Sequence, residues 1–477
     1  MKHISEGGHY KPLQQEDIEK IHAASLQVLA EVGIQINDPE DAAIFTSHGA
    51  SVDNDIVRFP EKLVLKCIDS APSEITLYGR NGSPPLSIGE KRVYYGTGGT
   101  ALFILDNGTR RKATLQDLKN ISRLVDHLDN IHFFLLPTYP DDIEQKEDID
   151  INRFFAGLDN TNKHVMGGVY TAEGVQQVIE MSELIAGSSE ALREKPFISF
   201  ITCVMDPLLL DKEYSRLMKQ IATARIPLAT PAEPMCGTTS PVTLAGNILI
   251  NNVDTLAGII LTQLVSPGAP VLYGCIGTAA DPIDMKYLGA PIESALINAA
   301  AAQLAQYYKL PYYATAGISD SKAVDGQCAY ESAMSNLMCG LAGANYIHDA
   351  AGLMEFAKTV SPEKYVIDND IIGMAMRAIE GIEVNEKTLA FDLIKKIGPG
   401  GNFLSSSHTR RYLRKEHYIP ALSDRLNRSQ WESKGTKDTY ERAREQVNEI
   451  LSSPPRSIIP EEIRKKILET FPTIRSA

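Results

Sequence analysis

From about residue 113 the chain alternates short apolar runs with longer stretches of helical periodicity. The runs are IHFFLLPTY, KHVMGGVY, PFISFITCV, IPLATPAEP, PVLYGCIGT, PYYATAGIS and ANYIHDAAG, and they begin about thirty to forty-odd residues apart. That spacing is what repeated β-α units require, and runs apolar throughout suit strands buried on both faces of a parallel sheet. Seven units are visible. An eighth strand lies either near Lys364 to Asp370 or in a Gly-rich segment before the series. Seven or eight consecutive units predict an α/β protein with a closed (β/α)8 TIM barrel rather than an open sheet. No GxGxxG follows the first run and no Walker A sequence occurs, so a nucleotide-binding fold has little support.

The flanks read differently. Ile18, Ile21, Ser25, Leu26 and Leu29 make a helical stripe ended by Gly33, and a second apolar stretch at Ala42 to Phe45 closes at Gly49. In VYYGTGGTALFILDNGTRR two short strands surround a Gly-rich bend, with Asn107-Gly108 as a hairpin signal. After about residue 398 the texture changes to GPGGNFL, basic and aromatic residues, the single Trp431 and two charged helical stretches. The expected division is a helical and hairpin extension over 1–110, the barrel over 111–397, and a C-terminal arm over 398–477 packed on the barrel. The arm could also carry a subunit contact.

Composition narrows the function. Hydrophobic residues make up 43% of 477 and charged residues 22%, which suits a large core. A net charge of -13 argues against nucleic acid as the main partner, although Arg410, Arg411, Arg414 and Lys415 form a local basic patch. The six cysteines include no CxxC pair, no apolar signal region opens the chain, and no uninterrupted apolar stretch is long enough for a membrane span. A cytoplasmic protein with reduced thiols is expected, and large barrels of this kind are often homo-oligomers.

In such a barrel, chemistry sits at the C-terminal ends of the strands. That rule picks Glu233, in the Pro-flanked loop TPAEP, as a cation partner or base. It picks His348, in NYIHDA, as a hydrogen-bond donor, acid or base. Small residues at other ends, Gly168, Gly277 and Gly317 with Asp320 beyond, either let a large flat cofactor approach or simply make tight turns. The aromatics Tyr94, Tyr95, Tyr139, Tyr170, Tyr312, Tyr313 and Phe356 fall near the expected mouth and offer faces for a cation, or else belong to the core. No metal-ligand spacing, GxSxG elbow or catalytic cysteine box is present, so neither a protein-bound metal nor a covalent hydrolase is expected.

Three stretches carry a resemblance. The hairpin YYGTGGTALFILD with TRRKAT, the late segment GISDSKAVDGQCAYESAMSNLMCGLAGANYIHDAAGLMEF, and the tail GPGGNFLSSSHTRRYLRKEHYIPALSDR with Trp431 and ESKG together resemble the trimethylamine methyltransferase family over about residues 10–455. The resemblance implies a (β/α)8 barrel that passes a methyl group from a methylamine to a corrinoid (cobalamin) carried by a cognate corrinoid protein. Family members acting on trimethylamine carry pyrrolysine near the end of a late strand, whereas this chain holds only standard residues. It therefore looks like the subgroup lacking pyrrolysine, which demethylates quaternary amines. Glycine betaine, giving dimethylglycine, is the expected substrate, with proline betaine, carnitine and γ-butyrobetaine as alternatives. Residue type and strand-end position then assign the ammonium to Tyr94, Tyr95, Phe356 and Glu233, and the carboxylate to His348 and Gln327. Two other classes stay open: a barrel lyase or hydrolase using Glu233 or Asp320 without a corrinoid, and a betaine-binding protein without catalysis.

Overall fold

A computed structural model describes residues 5–475. Eight parallel strands close into a barrel. We number only the barrel elements. The strands are β1 (Tyr94–Thr97), β2 (Phe133–Leu135), β3 (His164–Gly168), β4 (Ile198–Ile201), β5 (Leu228–Ala232), β6 (Val271–Cys275), β7 (Tyr312–Thr315) and β8 (Tyr346–Ala351). The helices that follow them are α1 (Leu115–Asp126), α2 (Lys146–Asn160), α3 (Ala172–Ala186), α4 (Lys212–Ala224), α5 (Leu244–Val265), α6 (Ile292–Tyr308), α7 (Gly326–Ala342) and α8 (Pro362–Ile379). All seven apolar runs are strands.

The eighth strand comes from the Gly-rich segment. β1 pairs with β8 through Tyr94 and Tyr346 and with β2 through Gly96 and Phe133, closing the circle. Lys364 to Asp370 lies within α8 instead, because Lys364 and Asp368, one turn apart, form a buried ion pair at 2.7 Å. The barrel thus begins inside residues 1–110 rather than at 111, and the boundary drawn there is corrected. The Asn107-Gly108 turn does make a hairpin, between Phe103–Asp106 and Thr109–Lys112. Both turn residues have positive φ, 51° and 75°, as a two-residue type I′ turn demands.

Side-chain alternation along the strands splits the core in two. Residues facing the helices, among them Tyr95, Phe134 and Tyr312, form the large outer layer with helix residues such as Phe154. Residues facing inward, Phe133, Leu135, Met166, Leu272, Tyr313 and Tyr346, fill the barrel axis. At the N-terminal end this inner cluster continues into a hairpin of Glu74–Leu77 and Leu86–Gly89, whose Leu77, Leu86 and Ile88 plug the barrel. The axis is therefore closed at this end. The helix α5 is long and apolar enough to cross a membrane, but it is mostly buried between barrel and N-terminal helix, where Asn252 donates to Ser25 Oγ at 2.7 Å.

The N-terminal segment forms the helix Gln15–Gln27 against α5 and a small sheet of Ile34–Ile36, Ser51–Asp53 and Ile56–Arg58. At the other end, Thr439–Ser452 packs on α8 and α1, and Glu461–Thr470 on α3. Residues 381–437 between them cover little of the barrel.

Candidate active site

The opposite end gathers side chains from β4, β5, β7 and β8 and from the loop after β6. His348 and Tyr313 form its floor, with ring centroids 4.2 Å apart and planes nearly parallel. The stack continues down the axis through Tyr346 to Phe133. Such a column of flat rings fills the narrow barrel without voids and holds the His348 ring in one plane.

His348 is buried and fully engaged. Its Nδ1 lies 2.6 Å from the Ala314 carbonyl, which only accepts, so Nδ1 carries a proton. Its Nε2 lies 3.0 Å from Thr315 Oγ1 and 3.0 Å from Asp349 Oδ2. Thr315 Oγ1 in turn donates to Asp349 Oδ2 at 3.0 Å. Asp349 adopts a φ of 60°, unusual for a residue with a side chain, and its Oδ1 is buried without a hydrogen-bond partner. This backbone strain, held by the surrounding bonds, is of the kind that collects at functional sites.

Glu233 stands at the mouth after β5. It is exposed to solvent although protein atoms crowd round it. Asp206 Oδ2 accepts from its backbone N–H at 2.7 Å. Desolvation, together with the carboxylates of Asp349 and Asp206, pushes the Glu233 carboxyl up to about 7, against a hydrogen bond from Tyr287 and the pull of His348. Beneath it Asp206 pairs with Asp254 of α5. Burial raises both carboxyls, Asp254 the further, so the pair holds a proton between them. Burial also pushes the Cys203 thiol up to about 12, which removes a thiolate nucleophile from the mouth. Asp206, Asp349 and Tyr287 thus all act on the Glu233 carboxyl, as does His348 of the stacked ring pair. That is a place for an organic cation.

The other expected site residues scatter. Tyr94 lies at the closed end, against the plug and edge-on to His132, because β1 begins there. Tyr95 points outward and donates to the Asn336 carbonyl of α7. Neither reaches the mouth, and their assignment to the ammonium is corrected: alternation along a strand sends neighbouring side chains to opposite faces. Phe356 is half-buried at the rim, but the Lys322 ammonium already lies 4.2 Å from its ring centroid. Gln327 donates to Glu331 at 2.9 Å, and Glu331 accepts from Ser319 Oγ and the Asp320 N–H, so Gln327 braces a loop. Asp320 accepts from the N–H groups of Gly289 and Ala290 and clamps the loop after β6.

Gly277 and Gly317 are buried against protein. A Cβ on Gly277 would meet Asn247 Oδ1 at 2.7 Å, and one on Gly317 the Ala350 backbone at 2.5 Å. They admit neighbouring chain rather than a cofactor. A Cβ on Gly168 would make only ordinary van der Waals contact, with Ile201 at 3.8 Å. Both nitrogens of His348 are spent inside the chain, so it positions Asp349 and Thr315 and presents no free N–H to a substrate carboxylate. Among the described residues no cluster could hold a metal ion.

Tyr287 escaped the sequence reading because it sits in an irregular loop, DPIDMKYLG, with no periodicity to mark it. Asp349 and Asp206 stood at run ends but bore no distinguishing signal beside His348 and Glu233.

Comparison with known proteins agrees with this geometry. The family model for trimethylamine methyltransferase (MTTB) matches residues 1–476. The trimethylamine methyltransferase MttB of Desulfitobacterium hafniense is 37% identical, over 96% of this chain and 92% of its own. A glycine betaine methyltransferase from strain Y51 of that species is 32% identical, over 93% of each. Among solved structures, the Methanosarcina barkeri monomethylamine methyltransferase MtmB superposes with a TM-score of 0.51 at 13% identity, covering 94% of this chain and 90% of that one, a likeness of fold. With a matching barrel and an end-to-end family match, this chain belongs to the trimethylamine methyltransferase family.

Proposed function

We propose that this methyltransferase removes a methyl group from a quaternary ammonium compound, glycine betaine first among them, and passes it to the corrinoid of a partner protein. The observation that carries the reading is the anionic, aromatic mouth around Glu233. A quaternary nitrogen has no N–H to donate, so it is held by charge and by ring faces rather than by hydrogen bonds. Glu233, Asp349, Tyr287 and the Tyr313–His348 floor are of that kind.

The nitrogen is already cationic and leaves as a neutral tertiary amine, so the chain has no need to protonate it. Its residues bind, orient and desolvate the methyl carbon toward the mouth. Glu233 ionises as the cation arrives, Tyr287 holds that carboxylate, and His348 with Thr315 fixes Asp349. A corrinoid presented from outside supplies a Co(I) nucleophile for the methyl carbon. Gly277 and Gly317 pack against the chain itself, which supports a cofactor carried by the partner.

One observation favours a second substrate of the same class. His348 offers no free donor and the mouth is anionic, which suits a quaternary ammonium lacking a carboxylate, such as choline. Incubation with free cob(I)alamin and a panel of betaines, choline and trimethylamine, followed by absorbance, separates the two. Conversion with glycine betaine supports the leading reading and conversion with choline alone the second. Conversion with trimethylamine alone would remove both.

A further inference from the structure

Helix α5 is apolar along most of its length, yet it carries a buried polar row. Asn247, Asn251, Asp254 and Thr255 follow one another at helical spacing, and all are sealed from solvent. The neutral three hold carbonyls at or beyond strand ends. Asn247 donates to the Pro234 carbonyl at 2.6 Å, Asn251 to that of Gly274 at 3.2 Å, and Thr255 to the same Gly274 carbonyl at 2.7 Å. Asp254 is the ionisable member of the row, and a lone buried carboxylate is costly.

Asp206 answers it. This residue lies on the tight turn after β4, where Met205 and Leu209 exchange backbone hydrogen bonds of 3.0 Å. Each carboxyl spends one oxygen on the chain. Asp206 Oδ2 accepts from the Glu233 N–H at 2.7 Å, and Asp254 Oδ1 from the Leu208 N–H at 3.0 Å. Leu208 has a φ of 59°, which a leucine keeps only where surrounding bonds hold it. The remaining oxygens, Asp206 Oδ1 and Asp254 Oδ2, are buried with no donor bonded to them among the described residues. Yet the two carboxyls lie within hydrogen-bond reach of each other. Two acceptors bond only if one carries a proton. No basic group among the described residues forms an ion pair with either, so that proton is what joins them. Burial raises Asp254 further than Asp206, which places the proton on Asp254.

Glu233 is thereby gripped from both sides. Asp206 takes its N–H, and Asn247 takes the carbonyl of the next residue, Pro234. Both grips lead back to α5. We propose that Asp206 and Asp254 act as one unit, an acid–carboxylate clamp through which α5 positions Glu233 for the substrate cation, with Asp254 as a positioning residue of the site. The cation meant is the quaternary ammonium of the proposed function, on which this role rests.

Four variants of the full chain test the clamp: Asp254→Asn, Asp206→Asn, the two combined, and Asp254→Leu. An amide stands in for a protonated carboxyl. Either single amide still donates to the opposite carboxylate, and its oxygen still accepts from the same backbone N–H. The combined variant instead sets two NH2 groups against each other. In thermal melting the two amide singles are expected close to the wild type, and the combined variant far below the sum of their losses. A combined variant that fails to fold beside two folded singles is the same outcome. At about pH 9, where Glu233 is ionised, infrared difference spectra against Asp254→Asn are expected to show a carboxylic-acid C=O stretch in the wild type. Calorimetry with tetramethylammonium at that pH is expected to give Asp254→Asn a Kd within about twofold of wild type, and Asp254→Leu a Kd raised about tenfold. A missing C=O stretch, additive losses in the combined variant, or an Asp254→Asn protein as weak as Asp254→Leu overturns the clamp. A wild type that binds no tetramethylammonium, with the stretch and the melting cycle as expected, overturns the role toward a cation and the reading of the mouth with it, while the clamp itself stands.

Discussion

At the scale of single residues, Glu233 carries the account. Its carboxyl, pushed up to about 7 by desolvation and the neighbouring carboxylates, is close to half protonated in neutral buffer. A bound cation favours the ionised form and lowers that pKa, so binding near pH 7 expels a proton. Titration calorimetry in buffers of different ionisation enthalpy is expected to show net proton release at pH 7 that fades by about pH 9, where Glu233 is already ionised. Affinity is accordingly expected to rise with pH through the range around 7. Glu233→Gln should raise KM by about tenfold, roughly 1.4 kcal/mol, and abolish the proton release. The linkage to folding has the opposite sign. A carboxyl whose folded pKa lies above its unfolded value favours the folded state below about 4.5, and that advantage is lost as pH rises through about 7.

At the scale of elements, the loop after β1 and the kinked end of β8 determine the site together. Gly98 lies so close to Asp349 that a Cβ would sit 2.4 Å from the Asp349 backbone nitrogen. Gly98→Ala must therefore push β8 aside. An overpacked site of this kind costs about 1–3 kcal/mol, so thermal melting is expected to shift downward and kcat/KM to fall at least tenfold. Gly168→Ala, whose Cβ would make only ordinary contact with Ile201 at 3.8 Å, should change neither. These elements also show what periodicity can reveal. Seven strands were legible because parallel strands buried on both faces are apolar throughout. The eighth, YYGT, was obscured by glycines that serve close approaches, Gly96 to the Phe133 ring of β2 and Gly98 to Asp349 of β8. The positions of Glu233 and His348 followed from the strand-end rule, since both stand where strands finish. Tyr94 and Tyr95 could not be placed the same way: β1 starts at Tyr94, and which neighbour faces inward depends on a register that only the closed sheet defines. Tyr287 and the Asp206–Asp254 pair come from a loop and a helix brought together by tertiary packing, which no local pattern encodes.

For the whole molecule, the plug formed by Glu74–Leu77 and Leu86–Gly89 closes the N-terminal end of the barrel. On the proposed function, substrate and methyl acceptor meet at the opposite end, where the loop after β6 sets Tyr287 against Glu233 and leaves the Ile283 side chain 92% exposed. If a corrinoid protein presents its cofactor there, Ile283→Glu should raise KM for that protein severalfold while leaving calorimetric affinity for the amine unchanged. Equal turnover with the partner would move the docking face elsewhere. The most direct test of the central claim follows the methyl group itself. Glycine betaine with three deuterated methyl groups, incubated with this chain and a reduced corrinoid protein, should yield dimethylglycine retaining two labelled methyls, with the third on the corrinoid by mass spectrometry. Labelled methanol or labelled trimethylamine, or intact betaine alongside an unlabelled corrinoid, would contradict it.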